Sequence, residues 1–194
     1  MLFRSTYSPS NIIDEPMMKR IQKEILDPFI MGVKADGIRF KGILFVGLMI
    51  DGENLSVLEY NVRLGDPETE VTLVRLENDL IDVIEAVLAD DLKSVTLSWS
   101  EQHAVCVILA SGGYPNDTVK GFPIHGVKEA IDPLVFHCGT QWHGDHVVTN
   151  GGRVLGVTAL GPTLHEASEK AYQKVASISF DGMHYRKDIA VFNS

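Results

Sequence analysis

Residues 58–69 read LEYNVRLGDPET, an alternation of apolar and polar side chains that ends in a Gly-Asp-Pro turn. Alternate side chains of a β-strand share one face, so the spacing predicts that Glu59, Asn61 and Arg63 point to the same side. The opposite side is predicted to face a core and carries Leu58, Tyr60, Val62 and Leu64. The stretch therefore predicts a half-buried strand with a row of polar groups on one face.

The polar row combines groups that suit a nucleotide-bound metal ion. Glu59 and Asn61 offer hard oxygen ligands of the kind that Mg²⁺ accepts while nucleotide phosphates complete its coordination. Arg63 has the planar fork of donors that binds a flat anion in bidentate fashion. Asp66 and Glu68 add two carboxylates directly after the strand. A solvated face of an edge strand is the alternative interpretation, because any half-buried strand alternates in this way.

A hairpin and a helix are predicted before and around this stretch. Two strand-like runs, 42–50 and 55–61, are joined by DGEN, whose residues are typical of tight hairpin turns. Residues 16–30 have apolar side chains four positions apart, which predicts a helix with Asp14 as its N-cap. Pro28 is predicted to kink or end that helix, because proline has no N–H to donate.

A second helix is predicted directly after the polar stretch. Apolar residues recur at helical spacing from Pro67 to about Leu88, which favours one long amphipathic helix. Asp66 is a candidate N-cap, with Pro67 at the first helical position, where a missing N–H costs nothing. This capping role is an alternative to a role of Asp66 in a binding site.

After Asp90 and Asp91, short apolar runs alternate with glycine-rich turns, which predicts an antiparallel meander. These runs are 104–110, 134–136, 147–149 and 154–160. A helix over 164–178 is predicted to cover the meander, and Thr163 and Glu166 form a capping box at its start. The predicted fold class is α+β, with one domain over 1–93 and a β-rich domain with a covering helix over 94–194.

Composition and charge argue against two classes of partner. The chain has 194 residues, 45% of them hydrophobic, and 26 acidic against 17 basic residues give a formal net charge of −9. Nucleic acids and anionic membranes require a basic footprint, so neither is an expected partner. No run reaches the roughly 20 apolar residues of a membrane span. Cys106 and Cys138 have no metal-like spacing and are expected to be reduced thiols, so we expect a cytoplasmic protein.

Residues 58–69 closely resemble the signature of phosphoribosylamine–glycine ligases, also called glycinamide ribonucleotide synthetases. That signature reads E-[FY]-N-x-R-[FL]-G-D-P-E-[TA]. Other stretches resemble landmarks of the same family, namely 7–9 (YSP), 42–50, 110–115 (ASGGYP), 137–140 (HCGT), 148–155 (VTNGGRVL) and 185–189 (YRKDI). The similarity covers essentially the whole chain, in order and at family-like spacing.

The resemblance implies an ATP-grasp fold and a carbon–nitrogen ligase of purine biosynthesis. Such enzymes phosphorylate glycine with ATP, and the amine of 5-phosphoribosylamine attacks the glycyl phosphate to give glycinamide ribonucleotide, ADP and phosphate. By resemblance, Glu59 and Asn61 hold Mg²⁺ or Mn²⁺ against the ATP phosphates, and Arg63 neutralises the transferred phosphoryl group. We further expect Asp66 and Glu68 to hold the ammonium of glycine or the amine of the sugar.

The resemblance also implies what this sequence lacks. The family's N-terminal domain, and the front of the ATP-grasp domain with its adenine pocket and lysine, precede the matching part. Residues 1–93 then correspond to the C-terminal part of the ATP-grasp domain, and 94–194 to the C-terminal domain. We expect the chain to need a separate N-terminal half and to be inactive alone. The alternative is a non-catalytic remnant or interaction module, while the family landmarks disfavour a different ATP-grasp ligase.

Two glycine loops and a histidine pair carry weaker signals. Residues 112–115 and 149–153 read GGYP and TNGGR, and tight turns explain both. The functional alternative is that both loops face the sugar phosphate, with Arg153 on the phosphate. His143 and His146 enclose Gly-Asp, and a metal there would require ligands from a second element, so solvent exposure is favoured.

Overall fold

The computed structural model describes residues 5–127 and 132–191. The strands are β1 (Thr6–Ser8), β2 (Phe45–Asp51), β3 (Asn54–Asn61), β4 (His103–Ala110), β5 (Leu134–His137), β6 (Thr140–His143), β7 (His146–Thr149) and β8 (Arg153–Gly161). The α-helices are α1 (Glu15–Ile21), α2 (Asp27–Ala35), α3 (Glu68–Thr72), α4 (Leu80–Leu88) and α5 (Leu164–Val175). Helices and antiparallel strands thus combine in the α+β class that the sequence predicts.

Packing divides the chain into two compact units, which are described separately. The sheet unit comprises the described residues of Met1–Pro9, Asp66–Glu77 and Trp99–Ser194. The hairpin unit comprises Ser10–Gly65 and Asn78–Ser98. These units interleave along the chain because the polypeptide passes from one to the other more than once. The sequence boundary near residue 93 stays a prediction.

A four-stranded antiparallel sheet organises the sheet unit, in the order β1-β4-β8-β5. The predicted meander is wrong in its connections, because β8 lies between β4 and β5 and because β6 pairs with β7 in a separate two-stranded sheet. The reason is burial. Residues 104–110 of β4 are fully buried, and β8 is almost as buried, so these two apolar strands occupy the centre of the sheet.

Helix α5 covers one face of this sheet. Its buried residues Ala167, Ala171 and Val175 pack into the same core as the valines of β4 and β8. Thr163 is the N-cap and accepts a hydrogen bond from the N–H of Glu166 at 3.2 Å, which confirms the predicted cap. On the other face, Val71 of α3 packs against side chains of β4. The sheet is therefore covered on both sides, as its apolar central strands require.

Strands β2 and β3 form the predicted hairpin of the hairpin unit. The turn is two residues long, and Gly52 takes a φ of 56°, which suits glycine in such a turn. The register shifts by one residue between Gly47 and Leu48, so that β3 carries a β-bulge. This bulge was not predicted, because the apolar–polar alternation gives no sign of it.

The predicted helix over 16–30 forms and continues to Ala35. Asp14 is its N-cap and accepts a hydrogen bond from the N–H of Met17 at 2.8 Å, as predicted. Pro28 does not end the helix. A π-helical turn, Gln22–Leu26, separates α1 from α2 just before it, and the wider turn accommodates a residue that donates no hydrogen bond.

The long helix predicted from Pro67 to Leu88 is interrupted. Helix α3 ends at Thr72 and gives way to a 3₁₀ turn over Leu73–Arg75, and α4 begins only at Leu80. Asp79 caps α4 by accepting from the N–H of Ile81 at 2.8 Å. Asp79 is an N-cap and starts a new helix, although the apolar periodicity of the sequence runs on without a break.

The apolar face predicted for β3 is not buried. Leu58, Tyr60 and Val62 are 59%, 43% and 71% exposed. The Tyr60 ring stacks on Phe29 of α2, with ring centroids 4.7 Å apart, but it remains partly open. A two-stranded hairpin has too little surface to enclose its own apolar face, so the prediction of a core on this side is wrong.

Within residues 5–127 and 132–191, no helix is long and apolar enough to cross a membrane.

Replacing Thr163 with alanine tests the cap of α5. The change removes the oxygen that accepts from Glu166, so we expect the free energy of unfolding to fall by about 1 kcal/mol in urea titrations. Thr118→Ala, in a loop of the same unit, is the matched control and should change it by less than about 0.5 kcal/mol. Equal losses in both variants would contradict the capping role.

Candidate functional site

Glu59 and Asn61 lie on one face at the end of β3. In the hairpin register Glu59 is opposite Gly47 and Asn61 is opposite Phe45, two residues apart on each strand. Residues that alternate in this way share a face, whereas Tyr60 between them points to the other side and stacks on Phe29. The structure therefore places these two predicted ligands side by side along the strand.

Asn61 has a polar atom that suits a ligand. Its Nδ2 is buried and has no hydrogen-bond partner among the described residues. A half-turn of the amide about χ2 exchanges nitrogen and oxygen, so the oxygen can equally occupy this unpartnered position. The described part of the chain has no group of three His, Cys, Asp or Glu side chains that could hold a metal. A phosphate-bound Mg²⁺ needs only one or two protein ligands, so the Glu59–Asn61 pair fits that requirement.

Arg63 does not belong to the strand. Strand β3 ends at Asn61 because its partner β2 begins at Phe45, which leaves Val62 and Arg63 without a strand to pair with. Arg63 is exposed, and its Nη1 donates to the carbonyl oxygen of Leu64 at 2.7 Å. The predicted row of three groups on one strand is therefore a pair on the strand, followed by an arginine in the adjoining turn.

In the sheet unit, Asp66 and Arg153 form a forked ion pair. Arg153 donates from Nη2 to Asp66 Oδ2 at 3.0 Å and from Nη1 to the Asp66 carbonyl oxygen at 2.9 Å, and Nη1 also lies 2.9 Å from Oδ1. The predicted capping role of Asp66 is wrong, because Pro67 is the N-cap of α3 and the cap makes no side-chain hydrogen bond. The fold thus joins two predicted site residues that lie far apart in sequence.

Two carboxylates follow on the first turn of α3. Glu68 Oε2 and Glu70 Oε2 are both buried and have no hydrogen-bond partner among the described residues. Burial has the largest effect and raises the pKa of the Glu70 carboxyl. A hydrogen bond from its own backbone N–H lowers this pKa, as does the charge of Arg153, whereas the charges of Asp66 and Glu68 raise it. Glu70 was missed from the sequence, although its position two residues after Glu68 in DPETE was a possible signal.

The two cysteines are free thiols near this acidic turn. Burial raises the pKa of Cys106 strongly, as expected for a small side chain in the fully buried strand β4. Cys138 is exposed at its surface, yet partial desolvation, followed by the charges of Glu70 and Asp66, raises its pKa to about 11. Both thiols are therefore protonated at neutral pH, which argues against a nucleophilic role.

The glycine loops pack against each other within the sheet unit. Ser111 donates from its N–H to the Gly152 carbonyl oxygen and from its hydroxyl to the Gly151 carbonyl oxygen, both at 2.9 Å. The Tyr114 ring lies so close to Gly152 that a β-carbon there would collide with it. This packing explains the glycine, and a contact with sugar phosphate stays a prediction. His143 and His146 are exposed on either side of the β6–β7 turn.

Comparisons with known proteins identify similar families and similar sequences. The family model "Phosphoribosylglycinamide synthetase, ATP-grasp (A) domain" matches residues 5–69, and the model "Phosphoribosylglycinamide synthetase, C domain" matches 104–191. The chain is 45% identical over 183 residues to a phosphoribosylamine–glycine ligase of Caldanaerobacter subterraneus, covering 94% of this chain and 44% of that protein. Identity to the enzyme of Neisseria meningitidis serogroup A is 46% over 188 residues, with 95% and 44% covered. The chain thus spans less than half the length of these curated relatives.

Solved structures show the same relationship. The crystal structure of phosphoribosylamine–glycine ligase from Thermotoga maritima matches with a TM-score of 0.83 at 34% identity, over 95% of this chain and 45% of that one. The biotin carboxylase domain of a thermophilic 2-oxoglutarate carboxylase matches with a TM-score of 0.62 at 12% identity, over 95% and 43% of the two chains, which shows the fold alone.

The fold and the family model over residues 5–69 define part of an ATP-grasp domain. The chain belongs to the phosphoribosylamine–glycine ligase family, as the resemblance of residues 58–69 implies.

The raised pKa of Glu70 predicts a pH-dependent stability. A carboxyl whose pKa is higher in the folded state binds its proton more tightly there, so it favours folding at low pH. That contribution is lost as pH rises from the ordinary value of about 4.3 through the raised one. As pH rises through this range, the wild type should lose stability that the Glu70→Gln variant keeps, so the variant should become more stable relative to the wild type. Urea unfolding at several pH values measures this difference. Glu101→Gln, an exposed acid of the same unit, is the control, and an identical profile in both variants would contradict the account.

Proposed function

We propose that this chain provides part of an enzyme that ligates glycine to 5-phosphoribosylamine at the expense of ATP, in the cytoplasm. The observation that carries the proposal is the pairing of Glu59 and Asn61 on one face of β3, in a chain of this family. The relatives' names state the reaction, and the chain's likeness to them supports assigning it here. The products are glycinamide ribonucleotide, ADP and phosphate.

In this proposal the hairpin unit serves the phosphoryl transfer. Glu59 and Asn61 would hold Mg²⁺ or Mn²⁺, which would supply positive charge to the ATP phosphates when bound. Arg63 lies in the exposed turn after the strand, and its guanidinium would meet the charge on the transferred phosphoryl group and on glycyl phosphate. Positioning and electrostatic stabilisation are the main means by which proteins accelerate such transfers.

The sheet unit would serve the second substrate and the amines. Glu68 Oε2 is buried without a partner among the described residues, so an ammonium of glycine or an amine of the sugar would satisfy it. Arg153 would bind the sugar phosphate, and its fork is already oriented by Asp66. A phosphate would compete with the Asp66 carboxylate for these donors, and a displaced Asp66 would then be available to an amine.

A separate N-terminal half is the proposed partner of the chain. Less than half of each relative's length is matched, so each relative contains a further part that this chain does not match. Several large apolar side chains of the hairpin unit are more than half exposed, which supports a partner that covers them. They include Ile12, Met31, Leu58, Val62 and Ile81. Exposed apolar surface of this extent is typical of interaction sites.

A non-catalytic module that keeps the fold is the second candidate, and the same short coverage favours it. The experiment assays formation of glycinamide ribonucleotide by the chain alone and with a separately supplied N-terminal half from a relative. We expect no product from the chain alone and product from the mixture. Product at a normal rate from the chain alone would contradict the need for a partner, and none from either would favour the module.

Glu59→Gln tests the metal role in the complemented enzyme. The amide keeps the shape but removes the charge on which a hard-cation site depends, so we expect kcat to fall about 100-fold or more. Glu53→Gln is the matched control on the same hairpin. Glu53 lies exposed in the turn, and its loss should change the rate by less than about twofold. Equal effects of the two variants would contradict the metal role.

Arg63→Lys tests the anion-binding fork. Lysine keeps the charge but offers a point donor in place of a planar pair, so we expect kcat to fall roughly tenfold or more while KM changes little. Steady-state kinetics of the complemented enzyme measure both constants. A change confined to KM would mean that Arg63 binds a substrate equally in its ground and transition states.

A further inference from the structure

Gly47 lies directly across the hairpin from Glu59. In the register of β2 and β3 these residues are opposite each other, so they share a face. The position that a β-carbon would occupy on Gly47 is 3.0 Å from Glu59 Cγ, 3.7 Å from Oε1 and 3.8 Å from Cδ. The side chain of Glu59 therefore folds across the space that the missing side chain of Gly47 leaves open.

The β-bulge creates this juxtaposition. Before the bulge, Leu48 pairs with Val57, and after it Gly47 pairs with Glu59, so Leu58 is the extra residue. Without the bulge, the register of the hairpin turn would set Glu59 opposite Val46. Bulges re-aim side chains next to functional sites, and this one moves Glu59 from a branched neighbour to a glycine.

Backbone conformation does not require glycine at this position. Gly47 is absent from the described glycines with positive φ, and glycine in a strand costs stability because it gains no packing and loses more entropy. Gly32 and Gly52 have nothing within 4 Å of their hypothetical β-carbons, whereas at Gly47 that space is bounded by the glutamate. The contact with Glu59 is thus the structural feature that distinguishes this glycine.

We propose that Gly47 is a positioning residue for the carboxylate of Glu59. The inference rests on the proposed function, in which that carboxylate binds the cation on ATP. A methyl group at residue 47 would press on Glu59 Cγ, and the side chain would shift by a few tenths of an ångström and lose its pose over β2. Groups that orient a metal ligand typically change metal affinity about 10- to 100-fold when they are altered.

The test measures Mn²⁺ binding in the presence of ATP, from the electron paramagnetic resonance signal of free Mn²⁺. The chain is used alone and with the supplied N-terminal half. We expect Gly47→Ala to weaken Mn²⁺ binding about tenfold and Gly32→Ala, the same change in the open space of α2, to leave it unaltered. A merely structural role predicts no loss, since alanine is the better strand residue.

A double-mutant cycle with Glu59→Gln separates the possible outcomes. If Gly47 acts through Glu59, then adding Gly47→Ala to Glu59→Gln should weaken binding no further. If the losses of affinity multiply in the double variant, the positioning role is overturned and the metal role stands. The same conclusion follows if Gly47→Ala binds Mn²⁺ with wild-type affinity while Glu59→Gln binds it more weakly. Full affinity in Glu59→Gln, or no Mn²⁺ bound by the wild type in either form, would contradict the metal role and the positioning role with it. A Gly47→Ala chain that does not fold, judged by circular dichroism melting, would make the glycine a folding requirement and also overturn the proposal.

Discussion

The pairing register of β2 with β3 is the constraint on which the candidate site depends. Strand side chains alternate with a period of two, so a shift of one residue moves a side chain to a different neighbour or a different face. The bulge at Leu58 adds that single residue, and Glu59 comes to lie over Gly47 with Asn61 beside it on the same face. A two-residue turn at Gly52 fixes the start of the register, and the bulge then sets which residues lie opposite the carboxylate of Glu59 and the amide of Asn61.

Much of the fold was predictable because it follows from contiguous signals. Most residues of β4 and β8 are apolar, and the caps Asp14 and Thr163 stand where short polar side chains precede helical periodicity. The failures are of a different kind. The order of the strands, the new helix that begins after Asp79 and the π turn before Pro28 all depend on partners that sequence periodicity does not reveal.

The sequence predicted most residues of the candidate site, but it predicted few of the contacts between them. Alternation indicated that Glu59 and Asn61 share a face, but it extended the strand past its last partner and so misplaced Arg63. It gave no sign that Asp66 is held by Arg153, because ion pairs between distant residues depend on the folded chain. Nor did it reveal Glu70, whose raised pKa follows from burial beside other acids on one short helical turn.

In the function proposed above, β3 carries the cation-binding edge of a ligase of this family. The most direct measurement is the paramagnetic broadening of backbone amide signals in nuclear magnetic resonance spectra as Mn²⁺ and ATP are added to the chain and its supplied half. The account predicts that the signals of Gly47, Glu59 and Asn61 broaden first, because relaxation by Mn²⁺ falls steeply with distance. Broadening centred on His143 and His146, with β3 unaffected, would contradict it.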